Sequence, residues 1–237
     1  MESVAFVHAA SLAAWFWEKP PEPEPEPEPM VQGLWLVAFL SIPHIFYLWL
    51  WTQPSAWISV SGTITRALGG AWSTTDKVAQ GNQACKYMAA MAHVIKVVQG
   101  LSVIAWFQVY CAASLTPSAV LALPPWRILA GVLGLGLGQS LNAGIYAAIG
   151  RNGVYYGNRF GAKLGPWCTG FPFNLPLVGR HPQYTGVLLS IWGGVSLTAD
   201  DAATAAGFPY IALIWSAFYL FTAVVEQTES KDERKAQ

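Results

Sequence analysis

The stretch ILAGVLGLGLGQSLNAGIYAAI, residues 128 to 149, contains no charged side chain, and it decides the fold class. A helix of these 22 residues is long enough to cross a hydrocarbon core of about 30 Å, because each residue adds about 1.5 Å. Three other uncharged runs have comparable lengths, at residues 31 to 51, 97 to 115 and 208 to 225. The sequence therefore predicts an all-α integral membrane protein with about four transmembrane helices.

A fifth apolar run, Val187 to Ala199, is too short to span the membrane alone. Its 13 residues reach about 20 Å as a helix, so we expect a re-entrant or partial helix that leans on its neighbours. If this run does not cross, the start of the third span and the end of the last span face the same side. We therefore expect Arg127 and the C-terminal tail to share the cytosolic side, where Lys and Arg are enriched.

The composition excludes an ordinary soluble domain. Of the residues, 54% are hydrophobic and 11% are charged, whereas soluble domains have about 25% charged residues. The charges sum to −5 over residues 1 to 29, to +6 over residues 30 to 225 and to −1 over residues 226 to 237. A basic membrane body suits a lipid partner that carries phosphate. We expect no nucleic-acid binding, and the cysteine spacing favours no metal site.

The chain divides into three segments. Residues 1 to 29 form an N-terminal extension that ends in the spacer PPEPEPEPEP, which is typical of extended, solvated chain. Residues 30 to 230 form the membrane-embedded domain, and residues 231 to 237 form a charged tail. Within the domain, residues 82 to 96 place Met88, Ala92 and Ile95 at helical spacing, which predicts a surface-lying helix before the second span.

Two glycine-rich segments are candidates for ligand binding. The glycines at 131, 134, 136 and 138 either allow close helix packing or let a flat ligand lie against the backbone. The loop of residues 150 to 174 interleaves glycines and aromatic residues with Arg151, Arg159 and Lys163. These cations either anchor the loop at the membrane interface or hold a lipid phosphate.

Two further features place ionisable groups beside apolar sequence. The turn RHPQYTG, residues 180 to 186, contains Arg180 and His181 directly before the short fifth run. Charged groups are costly in the membrane unless they meet a polar partner or a water-filled cavity. Glu226 ends the last span, and it is the first acidic residue after Asp201. We therefore expect a polar site at which these groups and the glycine run come together.

The stretch WCTGFPFNLPLVGRHPQYTG, residues 167 to 186, resembles the phospholipid N-methyltransferases, which have a TGFPFN-type segment followed by a Pro-x-Tyr-x-Gly turn. The GLG at 136 to 138, the segment GRNGVYYGNRFG and the final helix that ends in glutamate extend the resemblance over most of residues 30 to 230. The stretch WLWTQPSAW, residues 49 to 57, is most similar to plant and algal members that methylate phosphatidyl-N-methylethanolamine. The resemblance thus makes residues 30 to 230 a methyltransferase domain.

This resemblance implies S-adenosylmethionine as the methyl donor, phosphatidylcholine as the product and the endoplasmic reticulum membrane as the location. It implies cofactor contacts by Gly136, Gly138 and Glu226, with Gln227 at the place of a second glutamate in animal members. Combined with the chemistry of methyl transfer, it predicts Glu226 and His181 as the groups that orient or deprotonate the amine. The full predicted set adds cofactor contacts by Leu137, Arg180 and Tyr184, and substrate contacts by Tyr155, Tyr156, Arg159 and Asn174.

Three alternatives remain open at this point. His181 before the proline is more similar to the isoprenylcysteine carboxyl methyltransferases, whose substrate is a prenylated cysteine. A membrane sterol reductase shares the Arg-His-Pro-x-Tyr turn, but it needs NADPH and a larger helix bundle. A non-catalytic membrane protein with glycine-packed helices would not account for Arg180, His181 and Glu226 in an apolar body. The sequence does not indicate an oligomeric state.

Overall fold

The computed structural model describes residues 29–235 apart from 167, 177, 179 and 180, with side chains from residue 33 to residue 226. These residues form helices and turns without any strand. The helices are α1 (Pro29–Thr52), α2 (Pro54–Ala67), α3 (Lys77–Tyr110), α4 (Pro117–Leu121), α5 (Pro125–Val154), α6 (Gly157–Phe160), α7 (Pro182–Thr198), α8 (Asp201–Ala205) and α9 (Phe208–Lys235). The N-terminal extension before Pro29 lies outside the described residues.

Four of these helices are long and apolar enough to cross a membrane. The candidate spans are Gly33–Thr52, Lys77–Tyr110, Pro125–Phe160 and Phe208–Glu226. Large apolar side chains cover their outer faces, for example Leu34, Leu101 and Leu133, which are 60%, 60% and 52% exposed. An exposed apolar surface of this size is unfavourable in water and favourable in contact with lipid. The predicted all-α membrane fold is confirmed.

The second span differs from the sequence prediction. The segment before it was expected to lie on the membrane surface, but it is the first half of the continuous 34-residue helix α3. Met88 and Ala92 are buried on the inner face of this helix, whereas Lys86 and Lys96 are exposed. The two lysines interrupt the uncharged run but not the helix, because lysine has a high helix propensity. The prediction of a separate surface helix was therefore wrong.

The glycine run of α5 packs directly against α7, and the two helices are antiparallel. A side-chain carbon added at Gly134 would lie 2.9 Å from the carbonyl oxygen of Leu189. One added at Gly138 would overlap the carbonyl oxygen of Gly186. Small residues four apart allow this close approach of two helix backbones, which is a common packing mode in membranes. The short fifth run thus leans on its neighbour as expected, but it belongs to a helix of 17 residues that is longer than the predicted partial helix.

The two ends of α7 lie at opposite ends of the bundle. At its C-terminal end, Arg127 donates hydrogen bonds to the carbonyl oxygens of Ser196 and Ala199, at 3.1 and 2.8 Å. At its N-terminal end, Tyr184 donates a hydrogen bond to Glu226 near the end of the last span. The expectation that Arg127 and the C-terminal tail share one side was therefore wrong. The helix begins at Pro182, so its 17 residues extend about 25 Å and carry the chain from one end to the other.

This arrangement also gives the cationic residues a consistent side. The described Lys and Arg side chains at the Glu226 end are those of Arg66, Lys77, Lys86, Arg151, Arg159 and Lys163. Of the other described Lys and Arg side chains, that of Arg127 lies at the opposite end of the bundle, and that of Lys96 lies between the two ends. Because cytosolic loops carry an excess of Lys and Arg, this distribution indicates that the Glu226 end faces the cytosol.

Cysteine labelling in sealed microsomes tests this topology. Ser118 and Ser230 are each replaced by cysteine in a chain that also carries Cys168→Ser; Cys85 and Cys111 are buried. We expect a membrane-impermeant maleimide to label position 230 in intact microsomes and position 118 only after permeabilisation. Labelling of both positions from the same side would show that α7 does not carry the chain across.

Candidate active site

A cavity of about 560 Å³ lies between α1, α3, α5, α7 and α9, at the Glu226 end of the bundle. Its volume is within the range of small-molecule sites, about 300 to 1,000 Å³. Aromatic rings form much of its wall: Tyr47, Trp51, Tyr155, Tyr156, Phe173, Tyr184 and Tyr219. Seven polar or ionisable side chains also line it: His44, Lys96, Asn158, His181, Gln183, Thr222 and Glu226. The cavity therefore combines an apolar wall with a few polar groups, as ligand sites do.

Glu226 is held in this cavity by two tyrosines from different parts of the chain. The hydroxyl of Tyr156 donates to Glu226 Oε1 at 2.8 Å, and the hydroxyl of Tyr184 donates to the same oxygen at 2.6 Å. Tyr184 comes from the first turn of α7, and Tyr156 from the turn between α5 and α6. Because both bonds end on Oε1, the lone pairs of Oε2 remain for another donor.

Tyr156 reaches Glu226 from an unusual backbone conformation. Its φ angle is 57°, in the left-handed region, which costs an ordinary L-residue about 1 to 2 kcal/mol. The backbone amides of Arg159 and Phe160 donate to its carbonyl oxygen at 2.9 and 3.1 Å. The ring of Trp51 lies edge-on at 5.3 Å between ring centres. Strained residues of this kind persist where the surroundings fix them, and they are frequent at functional sites.

The other predicted substrate contacts have different positions. Tyr155 lines the cavity, and its hydroxyl is hydrogen-bonded to the hydroxyl of Tyr146. Arg159 lies beside the cavity, where its Nη2 donates to the carbonyl oxygen of Trp51 at 2.8 Å and its guanidinium lies 4.8 Å from the centre of the Trp51 ring. It therefore fastens α6 to the end of α1. Asn174 is exposed and is not part of the cavity wall.

The predicted cofactor contacts are also divided. Tyr184 lines the cavity, and so does His181, whose ring centre lies 5.6 Å from that of Tyr184. Gly138 is buried against α7, whereas Gly136 and Leu137 are exposed on the outer face of α5. The structure thus does not bring the GLG motif together with Glu226, because the inner face of the motif is occupied by helix packing. Arg180 and the side chain of Gln227 lie outside the described residues.

Sequence reasoning missed several residues of the cavity wall. His44 is 4% exposed, and its Nδ1 lies 3.3 Å from the hydroxyl oxygen of Thr222. Its ring packs edge-on against Tyr219, with 4.4 Å between ring centres. Lys96 lines the cavity from α3. Both residues interrupt apolar sequence within a span, and an ionisable residue in a span is itself a signal of a functional site.

This arrangement suits the binding of a small cation. A carboxylate fixed by two phenols attracts positive charge, and the faces of the surrounding tyrosine rings stabilise ammonium or sulfonium groups. The apolar wall excludes water, which strengthens these electrostatic interactions. Among the residues described, no three His, Cys, Asp or Glu side chains lie close enough together to hold a metal ion.

Comparison with known proteins identifies the family. The family model "Phospholipid methyltransferase" matches residues 126–230, which include α5 apart from its first residue, all of α7 and α9 as far as residue 230. The phosphatidyl-N-methylethanolamine N-methyltransferase of Arabidopsis thaliana is 32% identical over 207 residues, which cover 86% of this chain and 97% of the relative. No solved structure matches. The chain therefore belongs to the phospholipid methyltransferase family, and it is a multi-pass membrane enzyme that transfers methyl groups.

Proposed function

We propose that the protein methylates phosphatidyl-N-methylethanolamine, and then the dimethyl lipid, with S-adenosylmethionine as the donor, to give phosphatidylcholine. The observation that supports this most directly is the carboxylate of Glu226, held by Tyr156 and Tyr184 in a cavity within the membrane bundle. The similarity to the Arabidopsis enzyme supports the choice of lipid. A location in the endoplasmic reticulum is part of the proposal and rests on the resemblance.

The cavity residues fit the proposed cofactor. A volume of about 560 Å³ suits a ligand of this size class. S-adenosylmethionine supplies a methyl group bound to a positively charged sulfur. Glu226 offers a carboxylate to a cationic centre, and Tyr184, whose hydroxyl donates to Glu226, adds an aromatic ring to the wall at the same place. The cofactor contacts of Gly136, Leu137, Gly138, Arg180 and Gln227 stay predictions of the resemblance.

The residues of the chain act mainly by positioning, charge stabilisation and desolvation. Methyl transfer to an amine is an in-line displacement, so it needs no nucleophilic side chain but does need two reactants held in line. The incoming amine must lose a proton, and Glu226 or His181 accepts it or orients the group that does. The rings of Tyr155, Tyr156 and Tyr184 stabilise the positive charge, and the apolar wall excludes competing water.

One assay tests the proposed reaction and its main alternative. Purified protein in mixed micelles receives labelled S-adenosylmethionine together with phosphatidylethanolamine, its monomethyl form, its dimethyl form or a prenylcysteine. We expect label in the products of the monomethyl and dimethyl lipids, above the level in micelles without protein. Transfer to the prenylcysteine alone would favour the isoprenylcysteine carboxyl methyltransferase alternative, and transfer to none of the acceptors would contradict the proposal.

A further inference from the structure

Lys96 lies on the cavity wall but has no part in the site around Glu226. It belongs to α3, within the candidate span Lys77–Tyr110. It is the only Lys, Arg, Asp or Glu between Lys86 and Arg127. Met88, Ala92 and Lys96 follow at intervals of four residues, and all three line the cavity. One stripe of α3 therefore faces the cavity, as this spacing requires of a helix, and Lys96 is the last residue of that stripe.

The same residue lies at the outer surface of the bundle. Lys96 is exposed, and its neighbours Val97 and Leu101 are each 60% exposed on the apolar face. The other exposed residues of the described wall, Asn158, Leu164, Gly165 and Pro166, belong to the segment after α5, whereas Lys96 lies well inside a span. Lys96 therefore marks an opening of the cavity on the lipid-facing side of the bundle. Among the side chains described, none forms a hydrogen bond or an ion pair with Lys96. An ammonium group at such a position is costly unless a ligand neutralises it.

The depth of Lys96 relative to Glu226 follows from contacts between helices. Gln99 on α3 donates to the carbonyl oxygen of Leu40 on α1, at 3.4 Å. One turn nearer the Glu226 end, these antiparallel helices carry Lys96 and His44 at about the same depth. His44 contacts Thr222 on α9, and Glu226 follows four residues later. The backbone of Lys96 therefore lies nearer the middle of the bundle than the backbone of Glu226 by about one helical turn, about 5.4 Å.

The order of these two residues along the bundle matches the order of groups in a phospholipid. Of the four residue types Lys, Arg, Asp and Glu, the described cavity wall contains Lys96 and Glu226. From the bilayer core outward, a phospholipid presents its acyl chains, then its phosphate, then its amine. The cavity presents a cation and then a carboxylate in the same direction. A zwitterionic headgroup thus finds an opposite charge at each of its two ends.

We propose that Lys96 binds the phosphate of the lipid substrate, which enters sideways from the bilayer past α3 with its amine directed to Glu226. The proposal rests on the proposed function, because it concerns the lipid that this cavity methylates. Lysine binds phosphate as a compact point charge. Its long aliphatic stem lets the ammonium group reach from the apolar level of the backbone toward the headgroup region.

Steady-state kinetics and lipid binding of Lys96→Gln test the proposal. In mixed micelles we expect KM for the monomethyl lipid, measured as surface mole fraction, to rise about 10- to 100-fold, as for loss of a hydrogen bond to a charged group. We expect kcat to fall by less than about threefold, because Glu226 and its tyrosines are unchanged. Binding of phosphatidylethanolamine with a fluorescent acyl chain, measured without cofactor, should weaken by the same factor. Lys96→Arg should restore most of the affinity.

Lys86→Gln is the matched control, because Lys86 is an exposed lysine of the same helix outside the cavity. It should change neither KM nor lipid binding. The melting temperature of Lys96→Gln should equal or exceed that of the wild type, since an unpaired charge is removed from a span. Unchanged lipid binding in Lys96→Gln would overturn the proposal. A raised KM for S-adenosylmethionine with unchanged lipid binding would also overturn it, since it would assign Lys96 to the cofactor carboxylate.

The two proposals can fail separately. A wild-type protein that binds the fluorescent lipid through Lys96 but methylates no phospholipid would contradict the proposed function and support the phosphate site. A wild-type protein that methylates the lipid, together with a Lys96→Gln variant that has the same KM and the same lipid binding, would support the proposed function and contradict the phosphate site.

Discussion

Glu226→Gln is expected to lower kcat for the monomethyl lipid at least about 100-fold, the usual range for loss of an acid-base or charge-stabilising group. Glutamine keeps a carbonyl oxygen that can accept the hydrogen bonds of Tyr156 and Tyr184, so the walls of the cavity should keep their positions. It loses the negative charge that stabilises a cation and the ability to accept a proton. The measurement is single-turnover methyl transfer in mixed micelles, with membrane insertion and melting temperature recorded in parallel.

Asp201→Asn is the matched control for the loss of a carboxylate. Asp201 is exposed in the short helix α8, at the end of the bundle opposite to Glu226. It should leave turnover and membrane insertion unchanged. Near-normal turnover in Glu226→Gln would exclude an essential carboxylate at this position and would leave His181 as the remaining predicted proton acceptor.

The fold class was predictable because the membrane imposes a strong rule on the sequence. A backbone in lipid must satisfy its hydrogen bonds internally, so every long uncharged run has to become a helix. The run of residues 208 to 225 accordingly became the start of α9, within one residue of the candidate span. The rule says less about where a helix that contains charged residues begins. In α3, a search for uncharged runs stops at Lys96, but the helix continues through Lys96 and Lys86.

The topology was not predictable from the length of the fifth run. Its 13 uncharged residues are too few to span, but α7 adds the five residues of the turn from Pro182 to Gly186. These residues are helical because Pro182 is well suited to the first turn of a helix and because Gly186 packs on Gly138 of α5. The packing of α7 on α5 therefore determines the topology, which hydropathy alone does not. It places Arg127 and Glu226 at opposite ends of the bundle.

The candidate site was predictable where its residues follow one another in sequence, and less so where only the fold brings them together. Tyr156, His181, Tyr184 and Glu226 all belong to segments that the sequence singles out, and all line one cavity. His44 is at the same cavity, but it belongs to α1, where no motif surrounds it. A single sequence gives no information on which face of α1 points inward, so such a residue is found only from the structure.

Gly138→Leu is expected to disrupt the packing of α5 on α7. A side-chain carbon at this position would overlap the carbonyl oxygen of Gly186 and the hydroxyl of Ser190, and both belong to a helix that cannot shift freely. Overpacking costs about 1 to 3 kcal/mol and occasionally more, and we expect the upper part of this range because the clash involves backbone. A loss of about 3 kcal/mol corresponds to a fall of roughly 6 to 12 °C in Tm, measured by thermal unfolding in detergent.

Gly136→Leu is the matched variant that separates packing from cofactor binding in the same motif. A side-chain carbon (Cβ) added at Gly136 would meet no neighbouring element within 4 Å, and leucine suits the lipid-facing surface that Leu133 and Leu137 already form. We therefore expect Tm to stay within about 1 °C of the wild type, since surface changes of this kind are nearly neutral. An equal loss of Tm in both variants would contradict the observed packing. With the fold intact, a raised KM for S-adenosylmethionine in Gly136→Leu would support the cofactor contact that the resemblance implies. An unchanged KM would leave the packing of Gly134 and Gly138 on α7 as the role of this glycine run.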